Sequence, residues 1–188
     1  MQIDIVDPFY LVGGTALALL YGHRDSVDID LFTHHDFSVE RIEQVLLSEF
    51  DNVQINGTNK IMLFCMINDV KVDFVNHGVK PRFAIQTIDG IRLLNAKDIA
   101  AFKLKAIFQR GSKKDFCDLY TLLHHFSLQE LIDYCLTTFP QINIGQLLLS
   151  LQYFTDAEET QLPKLYINAT WPQIKTFIQQ QVTAYILP

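Results

Sequence analysis

The chain has 188 residues, 49% hydrophobic and 19% charged, which fits one globular domain, or one with a helical extension, and excludes a disordered chain. A net charge of −6 argues against a protein that coats nucleic acid by charge alone. The cluster Lys97, Lys103, Lys105, Arg110, Lys113 and Lys114 still leaves room for a local basic face. No apolar run is long enough to span a bilayer, and the N-terminus MQIDIVDPFYLV carries acids rather than a basic signal region. Cys65, Cys117 and Cys135 are widely spaced in apolar surroundings. They read as reduced core residues of a cytoplasmic protein with no membrane partner, not as a disulfide or zinc framework.

In chain order, residues 8–12 read as a short buried strand running into Gly13-Gly14, and residues 15–21 as a helix packed on a sheet. Residues 26–32 alternate as a strand. Ser38 is a plausible N-cap, and residues 41–50 carry Ile42, Val45, Leu46 and Phe50 at helical spacing. Asn56-Gly57 signals a turn between strands at 53–55 and 60–67, and Asn68-Asp69 turns the chain into another at 70–75. From Asn95 the character becomes helical, with segments at 96–108, 115–124, 128–138, 144–154 and 172–187 separated by Gly111, Pro140, Pro163 and Pro172. The predicted fold class is α/β (α+β): a small mixed β-sheet with helices over 1–95, followed by a helical domain over 96–188.

The chemistry concentrates in Val12 to Phe32. In a strand, Asp28 and Asp30 project from the same side. Two adjacent carboxylates repel unless a cation sits between them, and Mg²⁺ takes hard oxygen ligands that it shares with substrate phosphates. A glycine turn opening a helix just upstream offers backbone N–H groups to those phosphates. Asp73, an acid on an otherwise apolar strand, completes a three-carboxylate set if its strand lies beside that of Asp30. Such a set can hold two metal ions, one lowering the pKa of an attacking hydroxyl and one neutralising the nucleotide phosphates. Asp73 could also accept the proton of that hydroxyl.

Gly13-Gly14-Thr15, then Arg24-x-Ser26-x-Asp28-x-Asp30, then Asp73 resembles the DNA polymerase beta-like nucleotidyltransferase superfamily, and within it the AbiEii/AbiGii toxin group. The run Asp98-Ile-Ala-Ala-Phe-Lys103, Arg110 and Lys114-Asp115-Phe-Cys-Asp118-Leu-Tyr120 looks like that group's second signature. The resemblance covers about residues 10 to 125. It implies Mg²⁺-dependent transfer of a nucleoside monophosphate from an NTP to a hydroxyl, often on tRNA or other RNA. It also implies a toxin–antitoxin or abortive-infection system with an antitoxin partner.

Carried over residue by residue, Gly13 and Gly14 let the backbone approach phosphates and Thr15 adds a hydroxyl. Arg24 could bind carboxylates or a phosphate in bidentate fashion, and Ser26 could cap the turn. Lys103 could reach a phosphate as a point charge. Of Asp115 and Asp118, on one helix face, one could hold Lys103 or the acceptor while the other caps or pairs locally. Two alternatives keep the same acids: an antibiotic-type small-molecule nucleotidyltransferase, and a non-catalytic nucleotide-binding or interaction module. His34-His35-Asp36 reads as a loop, because adjacent residues do not converge on one ion.

Overall fold

Phe9, Tyr10, Leu11 and Val12 are all buried, which is why strand β1 (Tyr10–Val12) reads as an unbroken apolar run. The computed structural model describes residues 4–187. β1 passes directly into helix α1 (Gly13–Tyr21), and the chain returns as β2 (Ile29–Thr33), antiparallel to β1 with Val12 opposite Asp30. Helix α2 (Val39–Glu49) is capped by Ser38, whose hydroxyl accepts from the Arg41 N–H at 3.1 Å. A meander follows: β3 (Val53–Asn59), β4 (Met62–Ile67) and β5 (Val70–Asn76). The turn between β4 and β5 has Asn68 and Asp69 at φ 48° and 65°, the left-handed pair that a two-residue hairpin turn requires. The hairpin β6 (Gln86–Ile88) and β7 (Ile91–Leu93) completes one sheet in the order β3-β4-β5-β2-β1-β7-β6. The β2–β5 and β1–β7 pairs are parallel and the rest antiparallel.

Val39, Ile42 and Leu46 of α2 bury with Leu63, Cys65, Val72 and Phe74 around Phe9, whose ring meets Phe37 and Phe74 edge-on. Each such fully buried side chain contributes roughly 1.5–3 kcal/mol. Because Val72 and Phe74 take this core, the strand period sends Lys71 and Asp73 to the opposite face.

The chain divides into two compact units. The sheet unit runs to Ala16 and resumes over Val27–Asn95, while Leu17–Ser26 and the chain from Ala96 onward form the helical unit. Residues 17–26, which a single cut at 95 leaves with the sheet, thus count with the helices. The helical unit contains α3 (Ala96–Gln109), α4 (Lys113–Leu122), α5 (Leu128–Thr138), α6 (Ile144–Ser150), the short α7 (Thr155–Glu158) and α8 (Trp171–Ile186). Capping boxes open α5 at Ser127 and Glu130 and α8 at Thr170 and Gln173. Ile99, Leu104, Phe116, Leu119, Leu131, Leu147, Ile174 and Ile178 are buried. Residues 23–25 are tied to the segment before α8: the Asp25 N–H donates to Lys164 O and the Tyr166 N–H to His23 O, each at 2.9 Å. Among the described residues no helix is long and apolar enough to cross a membrane.

Several elements differ from expectation for identifiable reasons. Asn56-Gly57 is not a turn; it lies inside β3 at a bulge between Ile55 and Gly57, and the chain reverses at Lys60-Ile61. The strand expected from Ser26 begins only at Ile29. The β6–β7 hairpin escapes a search for long alternating runs because each strand has three residues. Its Asp89-Gly90 turn, at φ 49° and 79°, was the available signal. The helix expected over 144–154 stops at Ser150, and Phe154 packs instead against Phe116 and Trp171, ring centroids 4.8 and 5.9 Å away. All three cysteines are buried and free. Burial pushes the Cys65 thiol up to about 11 and those of Cys117 and Cys135 up to about 12.

Candidate active site

Register places the first group of residues. In the parallel β2–β5 pair, Asp30 lies directly opposite Asp73, flanked by Ile29 opposite Val72 and Leu31 opposite Phe74. With Val72 and Phe74 in the core, Asp30 and Asp73 project side by side from the other face. Asp28 shares that parity but lies one residue before β2, and the Thr15 hydroxyl donates to its backbone carbonyl. Gly13 has φ +71°, and a Cβ there would sit 2.5 Å from Asp30 Oδ2. Glycine is therefore required both by the left-handed backbone and by the carboxylate lying against it.

Like charges directly opposite each other destabilise a sheet. Lys71 relieves this: its Nζ lies 2.6 Å from Asp73 Oδ2. Burial alone would lower the Lys71 pKa, but the hydrogen bond to Asp73 and the charges of Asp73, Asp30 and Asp28 hold it above its ordinary value. Three carboxylates thus act on one cationic group. The other oxygen, Asp73 Oδ1, is buried without a hydrogen-bond partner, a costly state that a cation would relieve.

That orphaned oxygen is the test of whether a divalent metal fits. Mg²⁺ is commonly held by one or two carboxylates, with waters and substrate phosphates as its other ligands. Asp30 and Asp73 suit such a site. Among the described residues no group of three or more His, Cys, Asp or Glu is already gathered to hold an ion, so the three-acid cluster is not preassembled.

The second group lies within the helical unit and centres on Asp118 of α4, which is fully buried. Its carboxylate accepts from Arg24 Nε at 2.7 Å and Nη2 at 2.9 Å, a bidentate pair, and lies 2.6 Å from Lys103 Nζ and 2.7 Å from His23 Nε2. Lys103 also donates to Asp115 at 3.1 Å, and Asp115 caps α4 by accepting from the Ser112 N–H at 3.2 Å and hydroxyl at 2.6 Å. Two carboxylates and two fixed cations balance. Burial would raise the Asp118 pKa, but Lys103, His23 and Arg24 drive it far below the usual carboxylate range. Burial opposes the charge on Lys103, and Asp118 and Asp115 overcome it and hold that ammonium above its ordinary value.

The structure thus brings Gly13, Asp30 and Asp73 together in the sheet unit, with Asp28 held by Thr15 only through its backbone carbonyl, and Arg24, Lys103 and Asp115 together in the helical unit. Gly14 is buried in the first turn of α1, and Ser26 lies in the irregular stretch before β2. Arg24, for which carboxylate and phosphate were both open, binds a carboxylate here, and the Lys103 ammonium is engaged by two. Two features went unread: His23 and Asp118 as partners 95 residues apart, and Lys71 as the counter-cation. The GHR tripeptide beside the acids was the signal for the first. The expected basic face is largely engaged locally. Lys113 donates to the Glu158 and Thr160 carbonyls, while Lys97 and Lys105 lie over the rings of Tyr134 and Phe139.

Residues 4–183 match the family described as nucleotidyl transferase AbiEii toxin, type IV TA system. An uncharacterized protein of Aquifex aeolicus strain VF5 is 33% identical over 201 residues, covering 99% of this chain and 92% of that protein. Among solved structures, the nucleotidyltransferase toxin MenT4 from Mycobacterium tuberculosis superposes with a TM-score of 0.61 at 14% identity, covering 94% of this chain and 74% of its own. JHP933 from Helicobacter pylori gives 0.52 at 19% identity, covering 98% and 91%. At those identities the two structures speak for the fold.

Proposed function

The chain belongs to the AbiEii nucleotidyl transferase toxin family and is a nucleotidyltransferase; from that premise we propose that it moves an NMP from an NTP to an acceptor hydroxyl on RNA. Asp30 and Asp73, with Asp28, would hold Mg²⁺. What carries the proposal is Asp73 Oδ1, a buried acceptor without a partner, beside an acid opposite it in register. Bound there, up to two ions supply Lewis-acid neutralisation of the phosphates and a lowered pKa for the attacking hydroxyl.

The chain's own groups do the rest. Asp73 accepts the proton of the attacking hydroxyl. Gly13 and Gly14 present backbone N–H groups to the β- and γ-phosphates at the start of α1. The Thr15 hydroxyl holds the Asp28 carbonyl and so fixes the segment that carries Ser26 and Asp28. Within the helical unit, Asp115 and Asp118 engage Lys103 and Arg24 and hold that unit's framework. The family supports a toxin's role, and we assign a partner antitoxin to it.

The test is incubation of the purified chain with each α-labelled NTP, Mg²⁺ and total RNA, with an aminoglycoside as a second acceptor. Label is expected on RNA, and Asp30→Asn or Asp73→Asn should reduce it at least ~100-fold without loss of fold. Label on the aminoglycoside alone would move the chain to the small-molecule class. No binding of Mg²⁺-NTP, or transfer unaffected by either variant, overturns the proposal.

A further inference from the structure

On the α2 side of the sheet, the face turned away from Asp30 and Asp73, the segment at 4–8, the loop at 36–38 and helix α2 form a groove of about 650 Å³. Its floor is apolar. Ile42 is 1% exposed, and Ile5, Phe37 and Val45 are half-buried. The Phe37 ring is held edge-on by Phe9, centroids 5.1 Å apart, and Ser38 caps α2 beside it, so the floor is built before anything binds. Arg41, Val45 and Glu49 follow one another at four-residue spacing, and all three line the groove. The groove therefore runs along α2 for about 12 Å, at roughly 1.5 Å per residue. A trough beside a helix ridge is the shape that a second helix fills.

The rim is acidic. Asp4, Asp36 and Glu49 are exposed at the groove against a single base, Arg41. Asp36 accepts from the Asn76 amide at 3.2 Å, and among the described residues none of the three acids is in an ion pair. Glu49 lies in the last turn of α2, which holds no base, and the helix's own dipole disfavours an acid there. A cation brought from outside relieves it. An apolar centre with a polar rim is the build of a recognition surface, and the sign of this rim selects the partner. A second copy of this chain, at net charge −6, meets it with the wrong sign.

We propose that this groove docks a basic amphipathic helix of a partner protein. Its apolar side chains settle on Phe37, Ile42 and Val45, and its Lys or Arg side chains face Asp36 and Glu49. Docking there is independent of the nucleotidyl-transfer proposal, and the docked helix, on the opposite face of the sheet, leaves Asp30 and Asp73 uncovered.

The full chain is titrated, by fluorescence anisotropy, into a labelled helical peptide of about 18 residues, roughly 27 Å long, with leucines on one face and lysines on the other. Two controls keep its length: glutamates in place of the lysines, and the same leucines and lysines shuffled to remove the apolar face. The leucine–lysine helix should bind at least about 10-fold tighter than either control and weaken as salt rises. Val45→Arg fills the groove with like charge and should weaken binding about 10-fold. Glu49→Arg, at an exposed site, should weaken it about 2- to 5-fold and serves if the first variant misfolds. Gln44→Arg, on α2 but outside the groove, should leave it unchanged. Absence of binding, binding shared equally by either control, or equal weakening by Gln44→Arg overturns the proposal. Spermine binding as tightly as the peptide would mark a site for small cations, and self-association that Glu49→Arg abolishes would give the groove to a second copy; each also overturns it.

Discussion

The two groups of acids in this protein are built from the same residue types and put to opposite use. In the helical unit, Asp118 is fully buried and every direction around its carboxylate is filled by Arg24, Lys103 and His23. In the sheet unit, Asp73 has one oxygen on a half-exposed lysine and the other on nothing, with a second acid directly opposite. Burial with every bond made is framework; burial with a bond missing is a place for a ligand. The contrast separates the two better than the presence of charge does, since both groups hold acids and cations.

The largest way to break that contrast is Asp118→Ala. It leaves Lys103 and Arg24 buried without their shared partner and should cost about 3–5 kcal/mol of stability, read by urea unfolding. Asp73→Asn, by comparison, removes a repulsive charge beside Asp30 and should leave the urea midpoint unchanged or slightly raised while abolishing transfer. Equal destabilisation by the two variants would erase the distinction.

Titration sharpens it next. Asp118 and Asp115 have folded pKa values depressed below the ordinary 3.8, so the stability they contribute is complete above that value and is lost as pH falls through their folded values. Lys103 is raised above 10.5, so its share is complete below that pH and is lost as pH rises through its folded value. Acid unfolding of Asp115→Asn should start from a lower stability and show a shallower loss below about pH 4 than the unaltered chain. An identical acid limb would mean that Asp115 carries no linked protons.

The smallest effect belongs to Lys71→Met. The Lys71 side chain is 48% exposed, so its pair with Asp73 is worth at most about 1 kcal/mol. Removing an ammonium that competes with a divalent ion should tighten Mn²⁺ binding by up to about 5-fold, read by the loss of free Mn²⁺ signal in electron paramagnetic resonance. Weaker Mn²⁺ binding would show that Lys71 supports the ion rather than standing in for it.

What could be read from sequence depended on the reach of each signal. Period-two alternation put Asp28 with Asp30 and Lys71 with Asp73, and one strand pairing sufficed to bring Asp30 to Asp73. Helical spacing and Pro and Gly punctuation gave the helices, with α5 over Leu128–Thr138 found to the residue. The fourfold engagement of Asp118 was out of reach because His23 and Arg24 join it across about a hundred residues, and no local pattern records such a meeting. The glycine pair suggests room for a phosphate at Gly13, yet the atom closest to its missing Cβ is an oxygen of Asp30.

That last contact makes positions 13 and 30 a single decision. A side chain at 13 can be admitted only if the carboxylate at 30 is shortened or swung aside, which is the group a metal would need. Gly13→Ala should therefore behave like a loss of Asp30, and pairing it with Asp30→Ala should add little further harm to transfer. Among relatives of this chain, any residue other than glycine at the corresponding place would mark a lineage that has kept the scaffold and given up the chemistry.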